Sequence, residues 1–439
     1  MKGCKSLTNV ERLSRGLGSL RIGKPDLSLK SRYDRAFFLL LSIDILLRLL
    51  WLDKPAGSLI FDEWYYVNVA RVILGLPQSL GSNGTPPYQN VPTGLDPNHE
   101  HPPLAKLLIA LSIHFLGDNG FGWRIPSVIL GSLAVLVFYL LLKKVTTYKS
   151  VPLLGVFLFS FDNLVFVHSR IATLDIFTVA FMIIGIYWYF SGHSYWSAFA
   201  MTISTLCKIT GAAGFVIIAI VHAARFLKQR RAKRGWSQYF SWFEKYLATY
   251  LISFLLLLTI LDRIWVGYPD AFPHIGYMVT YSSALVSSCP NGIISCPWQW
   301  LINQVQIPYL TVGVKVSTGS TVTTKSTIAF LGAMNPSILY LTLPAIAYSG
   351  YYCLRRTKDD LALLSFVWFI TTYIPYYPAV LVGHRVTYLF YFLPTVPAVC
   401  AAVAYMIADQ NPPKLVVLFY LGVVLVSFYF LFPFKVIPS

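Results

Sequence analysis

The stretch Phe61-Asp62-Glu63-Trp64-Tyr65-Tyr66 sets two carboxylates side by side in a 439-residue chain that has 18 acidic residues in all. The pair lies just past the first long apolar run. Adjacent side chains on a helix point about 100° apart, so Asp62 and Glu63 can serve two different partners. A carboxylate in hydrogen-bond reach of a hydroxyl can remove its proton as a general base. The same two residues can also do purely structural work, with Asp62 capping an amphipathic helix over Glu63–Ile73 and Glu63 favouring its N-terminal dipole. Taken alone, the pair leaves both readings open.

Other polar residues are scattered through greasy sequence in short clusters. His99-Glu100-His101-Pro102-Pro103-Leu104 opens an apolar segment. Two histidines and a glutamate could ligate a metal, but the spacing is not the i, i+4 of a helical zinc pair, and no metal is expected. A Pro-Pro helix start is the plainer reading. Gly122-Trp123-Arg124 offers a guanidinium that could snorkel to the interface or fork onto a phosphate. His168-Ser169-Arg170 is followed by Leu174-Asp175. An acid within apolar sequence is a functional candidate by default, and pairing of Asp175 with Arg170 is its structural alternative. Cys207-Lys208-Ile209-Thr210-Gly211 and Gly383-His384-Arg385 add cations at further breaks. Convergence of Arg124, Lys208 and Arg385 would suit an anionic headgroup such as a lipid phosphate. Each alone could equally anchor its helix.

The elements that must position these residues are membrane helices. Hydrophobic residues make up 56% of the chain and charged ones 12%, against about 25% charged in a soluble protein. The +17 net charge gathers in Lys2–Arg35, Lys143–Lys149, Arg225–Arg234 and Arg355–Lys358. Clusters between apolar spans mark cytoplasmic connectors rather than a nucleic-acid surface. The basic head and the run Ala36–Leu52 lack a cleavable signal pattern.

Spans are expected near 36–53, 124–142, 150–168, 171–190, 195–209, 211–227, 246–262, 331–354, 361–380, 386–408 and 414–434. Pro102–Leu116 is read as an interfacial helix, because counting it as a span would flip every later basic connector to the outside. The expectation is an all-α polytopic protein of eleven spans, with residues 1–35 as a cytoplasmic N-terminus and the C-terminus outside. Residues 53–123 and 263–326 form two long outer loops. Asn83-Gly84-Thr85 in the first is a sequon. In the second, Cys289 and Cys296 are the two cysteines placed together on the oxidising side, where they can pair in a disulfide, two free thiols beside Trp298 being the alternative.

Taken in order, Phe61-Asp62-Glu63, His101-Pro102-Pro103-Leu104-Ala105-Lys106-Leu107-Leu108, Arg124, Ser169-Arg170 with Leu174-Asp175, and Lys208-Ile209-Thr210-Gly211 resemble the protein O-mannosyltransferase family, membrane enzymes of the GT-C fold. Pro297-Trp298-Gln299-Trp300 and Tyr391-Phe392-Leu393-Pro394 are similar to two further motifs of that family. The second outer loop is too short for the soluble domain of eukaryotic members, and Arg385 stands where many of them have a histidine, which points to a prokaryotic-type member. The resemblance implies sugar transfer, most simply of mannose, from a dolichyl or related polyprenyl phosphate to Ser/Thr hydroxyls with inversion. Asp62 would be the base and Glu63 would orient hydroxyls. Arg124, Lys208, Arg385 and His384 would hold the donor phosphate, and His101, Arg170, Asp175 and Trp298 would contact substrate. No cofactor is expected to be required, a divalent cation being the one addition left open. A related transferase acting on a lipid acceptor, as in aminoarabinose transfer to lipid A, is the alternative. A transporter is disfavoured, since no internal repeat is seen and the polar residues gather at one face.

Overall fold

The computed structural model describes residues 31–229, 236–318, 321–355 and 359–433. Most of the basic N-terminal segment, parts of the clusters at 225–234 and 355–358, and the extreme C-terminus lie outside these residues. Helix α1 (Arg32–Leu49) starts at Ser31, whose side chain accepts from Asp34 N. The first outer loop then carries α2 (Glu63–Leu74) and α3 (Leu104–Leu116) before α4 (Gly120–Val145). Next come α5 (Val151–Ser160), α6 (Asn163–His168), α7 (Asp175–Phe190), α8 (Ser194–Cys207), α9 (Ala212–Gln229) and α10 (Trp236–Leu261). The second outer loop holds α11 (Ala271–Ala284), α12 (Pro297–Trp300) and two strands, β1 (Ile307–Thr318) and β2 (Thr321–Gly332). Six helices complete the chain: α13 (Pro336–Leu339), α14 (Thr342–Arg355), α15 (Asp360–Tyr373), α16 (Tyr376–Leu381), α17 (Val396–Gln410) and α18 (Lys414–Leu431).

Six helical runs among the described residues are long and apolar enough to cross a bilayer: Gly120–Val145, Ile209–Leu227, Trp236–Val266, Asp360–Leu381, Leu389–Gln410 and Lys414–Leu431. The protein is thus embedded in a membrane through several passes. Other expected spans take different forms. The segment 150–168 breaks at Asp162, which caps α6 through Val165 N and accepts Asn335 N with its other oxygen. A buried carboxylate with two backbone donors is a fixed joint, so one long helix becomes two. The expected span at 331–354 is corrected: β2 runs to Gly332, and helix resumes at Asn335-Pro336 and again at Thr342.

A hairpin is the one β element among the described residues of this mostly helical fold, and it carries the second outer loop past Ser326. Its β-branched Val, Ile and Thr residues favour a pleated surface, and the strands pair antiparallel from Ile307↔Gly332 to Thr318↔Thr321.

Charge inside the bundle is paired. Asp44 and Arg48 on α1 form a fully buried i, i+4 ion pair at 3.1 Å. Asp34 is buried where Tyr139 Oη donates to it at 2.6 Å and Lys143 Nζ lies at 3.1 Å, both from α4. The sequence reading passed over these residues, although an acid followed four positions later by a base within an apolar run is a legible signal.

Helix α2 ends at Gly75, whose φ of 71° takes the left-handed conformation that glycine adopts without steric cost. It packs against α3, which packs in turn against α4. At about 1.5 Å per residue the 13 residues of α3 reach about 20 Å, short of an apolar core of about 30 Å. This length supports an interfacial helix. We therefore propose that Lys144 and Phe121, both exposed at opposite ends of α4, lie on opposite sides of the membrane. Of two single variants, Lys144→Cys and Phe121→Cys, an impermeant thiol reagent applied from outside should label only the second. Outside labelling of the Lys144→Cys protein would refute the eleven-pass arrangement.

Candidate active site

The two adjacent carboxylates separate at Phe61. This residue sits at φ 52°, a left-handed conformation uncommon outside glycine. Its ring is held by stacking on Tyr309, with centroids 4.3 Å apart, and by an edge contact with Phe390 at 5.6 Å. The chain then enters α2 with the two acids in different surroundings.

Glu63 turns inward and is fully buried. It accepts Arg124 Nε at 2.8 Å on Oε1 and Arg124 Nη2 at 2.8 Å on Oε2. Ile60 N and Ala172 N complete its shell at 2.7 and 2.9 Å. Arg124 spends its remaining donors on the carbonyls of Leu52, Lys54 and Ser58, at 2.8, 2.9 and 3.1 Å. All five guanidinium N–H groups are therefore engaged. This corrects two expectations: Glu63 has no free oxygen for a substrate hydroxyl, and Arg124 has no donor left for a phosphate.

Asp62 behaves oppositely. It accepts no cap bond from α2, and no ion pair engages it among the described residues. Burial pushes its carboxyl up to about 7, Lys208 pulls it back down, and the carboxylates of Asp175 and Glu100 add to the rise. Those causes locate it in a cluster with Lys208, Asp175 and Glu100.

Lys208 reaches the cluster through a tight reversal between α8 and α9. Gly211 makes the reversal fit, because a Cβ there would lie 2.4 Å from the Ser204 carbonyl carbon. Lys208 Nζ meets Asp175 Oδ1 at 2.7 Å and lies over the rings of Phe390 and Tyr391. Asp175 opens α7, where a negative charge suits the helix N-terminus. His168 stands 3.9 Å from Asp175 and bonds Thr173 Oγ1 and Tyr309 Oη at 3.0 and 2.9 Å.

His101 joins the same group. Burial, reinforced by Lys208, Lys106 and Arg385, holds its imidazole well below the usual range, so it is neutral, and its buried Nδ1 has no partner. The loop carrying it is pinned by Lys106, which meets Asp96 at 2.6 Å and the His101 carbonyl at 3.0 Å. Arg385 is close enough to act electrostatically on His101, Tyr376 and Tyr391. Its Nη1 is buried without a hydrogen-bond partner.

The remaining candidates fall elsewhere. Arg170 does not pair with Asp175. It donates to the carbonyls of Leu47 and Leu50 at the end of α1 and lies against Phe166 and Phe330, which makes it a structural tie rather than a substrate contact. His384 is exposed. Trp298 is 43% exposed beside Tyr377, whereas Trp300 of the same motif is buried. Cys289 and Cys296 are bridged, with Cα atoms 5.5 Å apart.

Two site residues escape the sequence reading. Glu100 reads there only as a metal-ligand candidate, yet its charge acts on both Tyr281 of α11 and Asp62. Tyr309 is one aromatic among many in a long loop, and only strand pairing brings it to His168.

A buried bidentate pair that loses one partner leaves an uncompensated charge, at a cost of about 3–5 kcal/mol. Glu63→Gln should therefore lower the thermal midpoint of the detergent-solubilised protein strongly, and Arg124→Lys should lower it too, because lysine keeps the charge but its three donors cannot replace the five-donor fork. Any Arg124→Lys protein that remains folded should bind polyprenyl phosphate as the parent does. An unchanged midpoint with selectively weakened lipid binding would return Arg124 to the donor site.

Comparison with known proteins covers part of these positions. Residues 100–265 match the family model described as dolichyl-phosphate-mannose-protein mannosyltransferase. That range takes in His101, Arg124, Asp175 and Lys208, while Asp62, Glu63 and Arg385 fall outside it. The polyprenol-phosphate-mannose–protein mannosyltransferase of Mycolicibacterium smegmatis is 33% identical over 138 residues, 31% of this chain and 25% of that protein. Its Mycobacterium tuberculosis counterpart is 32% identical over 128 residues, 29% of this chain and 22% of that protein. The matches thus span about a quarter of the relatives' length. Among solved structures, the S. cerevisiae protein O-mannosyltransferase Pmt1-Pmt2 complex bound to the sugar donor aligns with a TM-score of 0.65 at 11% identity, covering 92% of this chain and 90% of that one. ArnT from Cupriavidus metallidurans bound to undecaprenyl phosphate aligns with a TM-score of 0.50 at 15% identity, over 84% and 59%. Over residues 100–265 the chain is thus similar in sequence to the dolichyl-phosphate-mannose-protein mannosyltransferase model, and its helices adopt the fold of the S. cerevisiae Pmt1-Pmt2 complex, a GT-C architecture.

Proposed function

We propose that the chain is a membrane glycosyltransferase that moves a sugar, most simply mannose, from a polyprenyl phosphate to Ser/Thr hydroxyls of proteins, on the extracytoplasmic face. The observation that carries this reading is the Asp62 carboxylate: half-buried, unclaimed by its own helix, and within electrostatic reach of Lys208. The matches to mannosyltransferases named for a polyprenol-phosphate-mannose donor support the choice of donor and acceptor.

The acceptor hydroxyl attacks the anomeric carbon as the bond from that carbon to the phosphate oxygen breaks, inverting the centre. Asp62 takes the hydroxyl proton. The departing phosphate keeps the electron pair, and Lys208 and Arg385 stabilise the charge that collects on it. Asp175 holds Lys208 in place at 2.7 Å. His101 stays neutral beside the sugar, able to bond a hydroxyl through its unpartnered Nδ1. Arg124 and Glu63 take no part in these steps; they fix the turn that presents Asp62.

The test is transfer from labelled dolichyl-phosphate mannose to a Ser/Thr-rich peptide by purified protein. Label in glycolipid rather than peptide would establish the lipid-acceptor alternative. Asp62→Asn should lose roughly 10²–10⁴-fold in turnover with donor binding kept; near-normal turnover would remove Asp62 as base. Since the base must be ionised, turnover should rise with pH through about 7. Lys208 favours the charged carboxylate, so Lys208→Met should move that midpoint upward. Activity unchanged by a chelator would support the expectation that no divalent cation is required.

A further inference from the structure

The segment bearing Arg385 has little secondary structure of its own. Gly383-His384-Arg385 follows the end of α16, with His384 at φ 46°. It is held on one side by α16, whose Ala379 carbonyl accepts Arg385 N at 3.0 Å, and on the other from the second outer loop. Ser287 N donates to the His384 carbonyl and Val386 N to the Leu285 carbonyl, each at 2.9 Å, making an antiparallel bridge between Val286 and Arg385. Ser295 N donates to the Thr387 carbonyl at 2.9 Å, and Thr387 Oγ1 returns a bond to the Ser295 carbonyl at 2.6 Å. Residues 384–387 thus lie between two feet of one loop, 285–287 and 295–296.

The feet are unequally anchored. The second is fixed to the core: Cys296 N bonds Gln299 Oε1, and the buried Trp300 donates to Ser295 Oγ while packing on Tyr376. The first follows the C-terminal end of α11, with Val286 59% exposed. The covalent link from the loose foot to the anchored one is the Cys289–Cys296 disulfide.

We propose that this disulfide is a positioning element for Arg385, and that opening it weakens the hold on the donor phosphate. The inference rests on the reading that Arg385 binds that phosphate. A dithiol supplies the two electrons and two protons that convert the bridge to two thiols, and is itself oxidised to a disulfide. Once opened, the first foot is free to move away from the His384 carbonyl, and the unpartnered Nη1 of Arg385 loses its fixed aim at the site.

The experiment is a double-mutant cycle. Affinity for dolichyl phosphate is measured in nanodiscs for the parent, for Cys289→Ser/Cys296→Ser, for Arg385→Ala and for the triple variant. Dithiothreitol-treated parent protein stands in for the cysteine pair if that variant folds poorly. Arg385→Ala should weaken binding roughly tenfold, the scale of one lost bond to a charged group. The cysteine pair should weaken it several-fold, and the triple variant should bind no worse than Arg385→Ala. Multiplicative losses in the triple variant would show that the disulfide acts by general stabilisation and would overturn the inference. A normal cysteine-pair variant beside a weakened Arg385→Ala would overturn the inference alone. Normal binding by Arg385→Ala would overturn the donor-site reading and the inference together.

Discussion

The bidentate pair between Glu63 and Arg124 is the constraint on which the site depends. It gathers the end of α1, the turn at Ile60, the start of α4 and the backbone at Ala172 onto two side chains that are 0% and 1% exposed. A buried ion pair is a weak source of net stability, since desolvation offsets much of its attraction. Its value lies in geometry. A planar fork with five donors is satisfied in one arrangement, and that arrangement fixes where the next residue back, Asp62, must stand. The Asp62 carboxylate makes no cap bond to its own helix, while its neighbour has taken the structural bonds.

The same division recurs around the site. Each charge aimed at it is backed by a partner that takes part of its bonding. Lys208 is backed by Asp175, and the loop bearing His101 by the Lys106–Asp96 pair. Arg385 departs from this pattern, since backbone bonds hold its segment while its Nη1 has no acceptor. A buried donor left unsatisfied costs stability, which makes Arg385 the exception among these charges.

Much of this was legible in the sequence because membrane proteins write their solvent into their composition. Apolar runs, basic connectors and the break at Lys208–Gly211 follow from hydropathy and glycine alone. The acid pair was visible too, but not its division of labour: Asp62 and Glu63 differ by one methylene, and only burial and partners assign them. Arg124 was misread for a related reason. An arginine at a span end looks alike whether its fork meets a phosphate or three carbonyls, and the carbonyls of Leu52, Lys54 and Ser58 carry no sequence signature. The hairpin that delivers Tyr309 was hidden because a Thr- and Val-rich segment beyond the membrane reads as loop until its partner strand is known.

The first helix carries one last implication, for how the chain is assembled in its membrane. Asp44 and Arg48 sit within an 18-residue helix that also buries Asp34. A lone charge at the centre of an inserting helix costs about 2.5–3.5 kcal/mol. The Asp44–Arg48 pair offsets part of that within one turn, but Asp34 has its partners, Tyr139 and Lys143, at the far end of α4. Packing α4 beside α1 therefore supplies Asp34 with partners that α1 itself lacks. The two helices that flank the loop bearing Asp62 are thereby tied to each other at the ends away from that loop.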